Sequence, residues 1–306
     1  MEKKMLPDNH HENFFDTICR LAEAKDKTSL STIVDDKVCV DVAHGQYTPV
    51  MCLAKAGKRE AVDFLINHFH ANKNDATQGY AYGKFTTHVD ALLVEGIEKE
   101  AAIRGYAAAG LIDQVCDLLR NGASQDSAVW GYALGNHIEQ VNILLQHGAN
   151  QNFALWGFAL NGNVERVNLL LDQDGSCDVA VWAYAVENHI NQVNYLLNRK
   201  NASKDEAISG YARGGYIEQV NDLLALGIDH DFAVCGYATG GHIIQVDDLL
   251  KQGASIDFAV MGYALGKHVS LVNCLLKQGA SRDQAIKGYM NGGYTELAAQ
   301  LGVTSE

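Results

Sequence analysis

The sequence predicts an all-α fold, a solenoid of αα-hairpin repeats, and three observations support this fold class. First, a Gly-Tyr dipeptide or a close variant recurs in steps of 26 residues, with a single step of 27. Second, apolar residues at helical spacing accompany each copy of the dipeptide. Third, the 306 residues contain only two prolines, Pro7 and Pro49, so little interrupts helices after the start of the array. A fixed short period over most of a chain is typical of a solenoid, in which each unit stacks on the next.

The first 46 residues lack the repeat, and we expect them to form an N-terminal helical cap. Apolar residues from Phe14 to Ala22 predict an amphipathic helix over roughly 11–25. A second short apolar stretch follows at Leu30–Val34. Solenoids need a cap on the exposed end of the core, and a segment this short rarely builds a core of its own. We therefore expect a cap over 1–46, a solenoid of about nine to ten units over 47–302 and a tail over 303–306.

The repeat begins with the dipeptide and continues through a second apolar segment. It is clearest from Gly131 to Ala149, which reads GYALGNHIEQVNILLQHGA. The dipeptides are Gly79-Tyr80, Gly105-Tyr106, Gly131-Tyr132, Gly157-Phe158, Ala183-Tyr184, Gly210-Tyr211, Gly236-Tyr237, Gly262-Tyr263 and Gly288-Tyr289. We interpret the recurring tyrosines as core residues.

Each unit contains signals for two short helices. Asp or Asn is predicted to cap the first helix, at Asp126, Asn152, Asp178, Asp231, Asp257 and Asp283. The first helix is expected to end at a Gly or Asn such as Gly135. The second helix carries apolar residues at helical spacing, such as Ile138, Val141 and Leu144, and ends at Gly148.

Two stretches of the repeat resemble the ankyrin family. Thr48–Gly57 reads TPVMCLAKAG and is similar to the family pattern TPLHxAxxxG, and Gly241–Ala254 reads GHIIQVDDLLKQGA and is similar to GHLEIVxxLLxxGA. Ankyrin units take about 33 residues, so the shorter period here implies that the β-hairpin finger between units is missing. The resemblance therefore implies an ankyrin-like solenoid without β-hairpin fingers, whose first helices line a concave face that binds proteins.

The composition disfavours several other classes of protein. The net charge of −13 argues against nucleic-acid binding, which needs clustered Lys and Arg. No stretch approaches the length of a membrane span, and the N-terminus lacks the apolar run of a signal peptide. The seven cysteines are scattered, which favours reduced thiols in a cytoplasmic setting. No motif indicates a cofactor, so we expect none.

The tryptophans are the candidate binding residues. All three, Trp130, Trp156 and Trp182, occupy one repeat position in consecutive units, and Leu134, Leu160 and Val186 follow one helical turn later. The same position elsewhere holds Gln78, Arg104, Ser209, Cys235, Met261 and Lys287, so it is predicted to be exposed. We expect these six tryptophan and aliphatic residues to form an apolar strip on the concave face that binds a protein partner. The alternative is that local curvature buries the indole rings in the core.

Histidines supply the candidates for chemistry. His137, His189, His242 and His268 share a repeat position and are interpreted as loop hydrogen-bonding residues, since units about 8–10 Å apart cannot share one metal. An enzymatic alternative would use some of Cys39, His44, His68, His70 and His88 on the groove or the cap.

The sequence thus favours a non-catalytic protein-interaction scaffold with no bound metal. Degenerate arrays of this ankyrin-like kind resemble effector proteins of intracellular bacteria, and by analogy this implies a host protein as partner. Such an effector would be secreted into the host cell without a classical signal peptide. The alternatives are an enzyme with a site on the groove or cap, and a self-assembling structural protein.

Overall fold

A computed structural model of the chain describes residues 14–34 and 40–303. Within those ranges the secondary structure consists of 22 α-helices and no β-strand, which confirms the predicted all-α fold class. Cys39, a candidate in the enzymatic alternative, lies outside the described residues. None of the described helices is both long and apolar enough to cross a membrane.

The helices after residue 48 alternate between an inner and an outer helix, and each pair forms one unit. The inner helices are α3 (Pro49–Lys55), α5 (Lys73–Tyr82), α7 (Lys99–Ala108), α9 (Gln125–Leu134), α11 (Gln151–Asn161), α13 (Cys177–Val186), α15 (Lys204–Gly214), α17 (His230–Thr239), α19 (Ile256–Leu265) and α21 (Arg282–Asn291). The outer helices are α4 (Arg59–Phe69), α6 (Thr86–Val94), α8 (Ile112–Arg120), α10 (Ile138–Gln146), α12 (Val164–Leu171), α14 (Ile190–Arg199), α16 (Ile217–Ala225), α18 (Ile243–Lys251), α20 (Val269–Lys277) and α22 (Thr295–Val303).

Two helices precede the units. The first, α1 (Phe14–Glu23), confirms the amphipathic helix predicted near residues 11–25 for the part that the structure describes. It buries Ile18 and Ala22 and packs on α3 and α4. The second, α2 (Lys27–Val34), buries Leu30, so the short apolar stretch is also helical.

The predicted caps are wrong by two residues, and the difference has a physical reason. Helix α9 is capped by Ser124, whose hydroxyl accepts from the backbone N–H of Asp126. Asp126 instead reaches the next unit, where its Oδ1 accepts from Asn150 N at 2.7 Å. The same link between units joins Asn152 to Ser176, Asp178 to Ser203, Asp231 to Ser255, and Asp257 to Ser281. The last predicted cap, Asp283, likewise lies inside its helix, which Ser281 caps.

The inner helices approach one another down to backbone contact. A Cβ on Gly131 would lie 2.4 Å from the carbonyl oxygen of Arg104, and one on Gly157 would lie 2.4 Å from that of Trp130. Glycine at this position allows the approach, which explains why it opens every dipeptide except Ala183-Tyr184. The outer helices pack chiefly on their own inner helices. Successive inner helices pack on one another whereas successive outer helices have few contacts, so the stack curves towards its inner helices.

The tyrosine of the dipeptide fills the core between the two layers. Tyr132, Tyr237 and Tyr263 are buried, and equivalent rings are buried from Tyr80 to Tyr289. The Tyr132 ring meets the ring of His137 edge-on at 6.0 Å, and Tyr263 meets His268 in the same way. The interpretation of this position as core is confirmed.

The curvature brings distant units together across the inner face. Lys267 Nζ, between α19 and α20, lies 3.7 Å from Glu98 Oε1, which precedes α7. Residues 40–47 also cross this face, where Ala43 N donates to the carbonyl oxygen of Gly240 at 2.7 Å. The concave side is therefore a narrow interior.

Candidate functional site

The three tryptophans form one continuous row on the inner face, the tryptophan ladder. The ring centroids of Trp130 and Trp156 are 5.6 Å apart, and those of Trp156 and Trp182 are also 5.6 Å apart. Both pairs meet edge to face, the preferred geometry for aromatic rings. A guanidinium lies over each end, with Arg104 5.8 Å from the Trp130 ring and Arg213 5.6 Å from the Trp182 ring. Consecutive inner helices α7 to α15 thus supply one cation–aromatic column.

The predicted exposure of this strip is wrong for most of its members. Trp130 is only 7% exposed, and Leu134, Leu160 and Val186 are buried. Trp156 and Trp182 are partly buried. The reason is the close contact between inner helices, which narrows the concave face until its side chains pack against one another. The partner-binding role of these six residues stays a prediction.

Two indole nitrogens in the ladder lack a hydrogen-bond acceptor. The Nε1 atoms of Trp130 and Trp156 are buried and have no partner. Gln46 Oε1, on the crossing segment, is a buried acceptor that also has none. Buried polar groups normally find partners, so these atoms mark an interior whose hydrogen bonding is incomplete.

Charged side chains fill the inner face beside the ladder. Burial raises the pKa of Glu187 to about 6, against the opposing effects of the Gln46 N–H and Arg213. Burial likewise raises the pKa of Asp75, although the Thr48 hydroxyl donates to it at 2.9 Å. Burial, and then the charge of Asp75, raises the pKa of Asp41 to about 7. These carboxylates occupy an environment that penalises their charge.

The repeated histidines bond to the preceding unit. The Nε2–H groups of His137, His242 and His268 donate to the carbonyl oxygens of Ala108, Arg213 and Thr239, at 3.2, 3.1 and 3.1 Å. The interpretation as loop hydrogen-bonding residues is confirmed for these three, whereas His189 Nε2 has no partner. Burial lowers the pKa of both His242 and His268 to about 4, so both stay neutral near pH 7.

The candidates of the enzymatic alternative pack in different surroundings. His44 is exposed beside the ring of Tyr216, His68 meets Phe64, and His88 stacks on Tyr80. His70 is the left-handed C-cap of α4. Over residues 14–34 and 40–303, no three His, Cys, Asp or Glu side chains are grouped as metal ligands.

The outer face carries an apolar feature that the sequence analysis missed. Ile143, Leu169 and Tyr195 are 46%, 45% and 47% exposed and share one repeat position on α10, α12 and α14. We call them the outer apolar column. The same position holds Asp117 on α8, Asp222 on α16 and Asp248 on α18, so a change from acidic to apolar in three consecutive units was the available signal.

A small groove lies beside this column. It has a volume of about 280 Å³, and Val164, Asn168, Asn191 and Tyr195 contribute to its walls. Tyr184, which also lines it, is buried, and its hydroxyl has no hydrogen-bond partner. The groove therefore combines apolar walls with an unpaired polar group.

A larger cavity, of about 590 Å³, lies where the N-terminal helix meets α16 and α18. Phe14, Phe15 and Val42 line one side, and Ile217 and Leu249 line the other. The cavity therefore lies between α1 and two outer helices, α16 and α18, that are distant from it in sequence.

Comparison with known proteins finds similarity only among solved structures. No family model matches the chain, and a search of curated proteins found no match. Among solved structures, the ankyrin repeat domain of human ASB11 is similar at 18% identity, covering 65% of this chain and 96% of that chain with a TM-score of 0.24. So low a score supports no argument about the site. The helices themselves show the ankyrin-like stack of αα hairpins that the sequence predicts.

Proposed function

We propose that the chain is a non-catalytic protein-interaction scaffold whose contact surface is the outer apolar column. The observation that carries this proposal is the exposure of Ile143, Leu169 and Tyr195 in three consecutive units. Apolar side chains exposed side by side on a repeat array favour a protein contact, since burying them in a partner is favourable.

The fold itself does not require apolar residues at this position. Units with Asp117, Asp222 and Asp248 build the same pair of helices. The column has exposed apolar residues at a position where the flanking units carry a carboxylate. This difference therefore supports a role other than folding.

The groove beside the column suits an anchoring side chain of the partner. Its volume of about 280 Å³ lies just below the range typical of small-molecule pockets, so one inserted side chain fits it better than a free ligand. The unpaired Tyr184 hydroxyl favours an anchor with a polar tip. A host protein as the partner is implied only by the sequence resemblance, and that part of the proposal rests on it alone.

The first prediction tests the column by introducing the acidic residue that α8, α16 and α18 carry at this position. The variant Ile143→Asp/Leu169→Asp/Tyr195→Asp should fold normally and bind its partner roughly 100-fold or more weakly, because several buried anchors are lost together. Affinity purification with the wild type and the variant as baits, followed by quantitative mass spectrometry, identifies the partner. A titration with that partner then gives the change in Kd.

The control places two added carboxylates elsewhere on the surface. Val94 and Leu226 are 89% and 68% exposed and lie outside the column. The variant Val94→Asp/Leu226→Asp should keep the partner. If the triple variant and the wild type retain the partner equally, the proposal is contradicted. The tryptophan ladder would then be the next candidate for the contact surface.

A further inference from the structure

Residues 40–47, here called the strap, cross the inner face and use backbone groups at the ends of distant helices. Ala43 N donates to the carbonyl oxygen of Gly240 at 2.7 Å, and Gly45 N donates to that of Gly214 at 3.4 Å. Gly214 ends α15, and Gly240 is the C-cap of α17. Carbonyl groups at the last turn of a helix have no hydrogen-bond donor within the helix, so the N–H groups of the strap supply the missing donors.

Two side chains hold the strap next to the tryptophan ladder. The N–H of Gln46 donates to Glu187 Oε1 at 2.8 Å, and Arg213 Nη1 donates to the carbonyl oxygen of Gly45 at 3.2 Å. The same Arg213 guanidinium lies over Trp182. One side chain therefore contacts both the strap and the end of the ladder.

Gly45 is the tightest point of the strap. Its φ is +61°, and a Cβ there would lie 2.7 Å from Glu187 Oε1. Any other residue would combine a left-handed backbone with a clash against a carboxylate. A single added methyl group should therefore displace the Glu187 carboxylate and weaken the contacts of the strap with the inner face.

The closed strap also carries an electrostatic cost. It places the partly buried Asp41 in the field of Asp75, a group of like charge, with the Asn72 N–H as its hydrogen-bond donor at 3.1 Å. It also leaves Gln46 Oε1 without a partner. Burying charged and polar groups without full compensation is unfavourable, so release of the strap would relieve part of this cost.

We propose that the strap is a releasable occupant of the inner face, and that an extended segment of a partner protein binds in its place. Such a segment would be recognised by hydrogen bonds to its backbone. Its N–H groups would donate to the carbonyl oxygens of Gly214 and Gly240 and to Glu187, and one of its carbonyl groups would accept from Arg213. The tryptophan ladder would lie at the end of this site. The proposal goes beyond the outer apolar column, which is exposed while the strap is closed.

The experiment opens the strap and offers its own sequence in trans. The probe is a fluorescein-labelled peptide with the sequence of residues 40–47, VDVAHGQY. In the wild type the tethered strap competes at a high effective concentration, so the peptide should bind poorly. The Gly45→Ala protein should bind it roughly tenfold tighter or better, as measured by fluorescence anisotropy. A peptide with alanine in place of its glycine should not bind either protein.

Tryptophan fluorescence supplies an independent readout, since all three tryptophans belong to the ladder. Quenching by acrylamide should increase in Gly45→Ala and fall again when the peptide is added. The matched control is Gly96→Ala, because Gly96 has φ +87° and no atom within 4 Å of an added Cβ. This control has the backbone strain without the clash and should behave as the wild type.

Three outcomes would overturn the proposal. One is equal binding of the peptide to the wild type and to Gly45→Ala, and another is binding to neither. The third is loss of the helical circular-dichroism signal in Gly45→Ala, because the strap would then be required for folding and could not be released.

Discussion

Single residues of the tryptophan ladder combine a packing role with incomplete hydrogen bonding. Trp130 is almost fully buried between the Arg104 guanidinium and the ring of Trp156. Its Nε1 has no acceptor. Dispersion and ring contacts therefore have to outweigh the cost of desolvating that nitrogen, and the large apolar area of an indole ring makes this feasible.

The second prediction follows from this burial. Trp130→Ser should lower the free energy of unfolding by about 3 kcal/mol or more, as expected when a buried aromatic residue is truncated. Trp182→Ser should cost less, because Trp182 is only partly buried. Urea denaturation of both variants gives the comparison. Leu226→Ser, at an exposed site, is the control and should change stability by less than about 0.5 kcal/mol.

Single residues also show why only part of the candidate site could be predicted from the sequence. The shared register of Trp130, Trp156 and Trp182 was visible in the sequence, and so was the tolerance of that position for Arg and Lys. Tolerance indicated exposure, but Arg104 is accommodated over an indole ring. The curvature of the array determines whether this position is exposed or packed against an indole ring. That curvature depends on distances between helices, which a repeat pattern in the sequence does not reveal.

The link between adjacent units is the characteristic feature at the scale of elements. An Asp or Asn in the first turn of one inner helix accepts from the N–H of the residue that caps the next, as in Asp231 to Ser255 at 2.6 Å. The recurring Asp is visible in the sequence, but the expectation that it caps its own helix is wrong. A pattern in one unit does not show that the partner lies 24 residues ahead.

The third prediction tests this link. Asp231→Ala should destabilise the fold by about 1–2 kcal/mol, because it removes a charge-assisted hydrogen bond and leaves Ser255 N without its acceptor. Asp283 occupies the same repeat position, but no unit follows it in the described part of the chain. Asp283→Ala is therefore the matched control and should cost clearly less in thermal denaturation. Equal losses in both variants would contradict the role of the link.

The whole molecule is more closed than a linear array. The sequence predicted the helices and their alternation, because period and apolar spacing determine them. It did not predict that Lys267 would meet Glu98 or that the strap would meet α15 and α17. These contacts depend on how closely successive inner helices pack, and the backbone contact at Gly131 and its equivalents sets that distance.

The fourth prediction concerns the effect of pH on the strap, which lies on the inner face in the closed form and leaves it in the open form. Asp41 faces the Asp75 carboxylate and the Asn72 N–H, and its pKa is raised to about 7 in the closed form. Glu187 faces Arg213 and the Gln46 N–H, and its pKa is raised to about 6. Raised values mean that the closed form binds protons more tightly than the open form. Lowering the pH from 8 to 6.5 should therefore favour closure and reduce acrylamide quenching of tryptophan.

Asp41→Asn isolates the contribution of Asp41 to this effect. It removes the titrating group while keeping an oxygen that can accept from Asn72 N–H, so most of the change in quenching over this pH range should disappear. Stronger quenching at pH 6.5 than at pH 8 in the wild type would contradict the predicted sign.

The strap has a consequence for the order in which the chain is made. Ala43 leaves the ribosome before its acceptor, Gly240, which follows about 200 residues later. At about 5–20 residues per second this interval lasts roughly 10–40 s. During synthesis the first units can stack as they emerge, while the strap still has no helix end to bind. Every newly made chain therefore passes through a stage in which the strap has been made but the carbonyl groups of Gly214 and Gly240 that bind it have not, so residues 40–47 can contact other segments until α15 and α17 have formed.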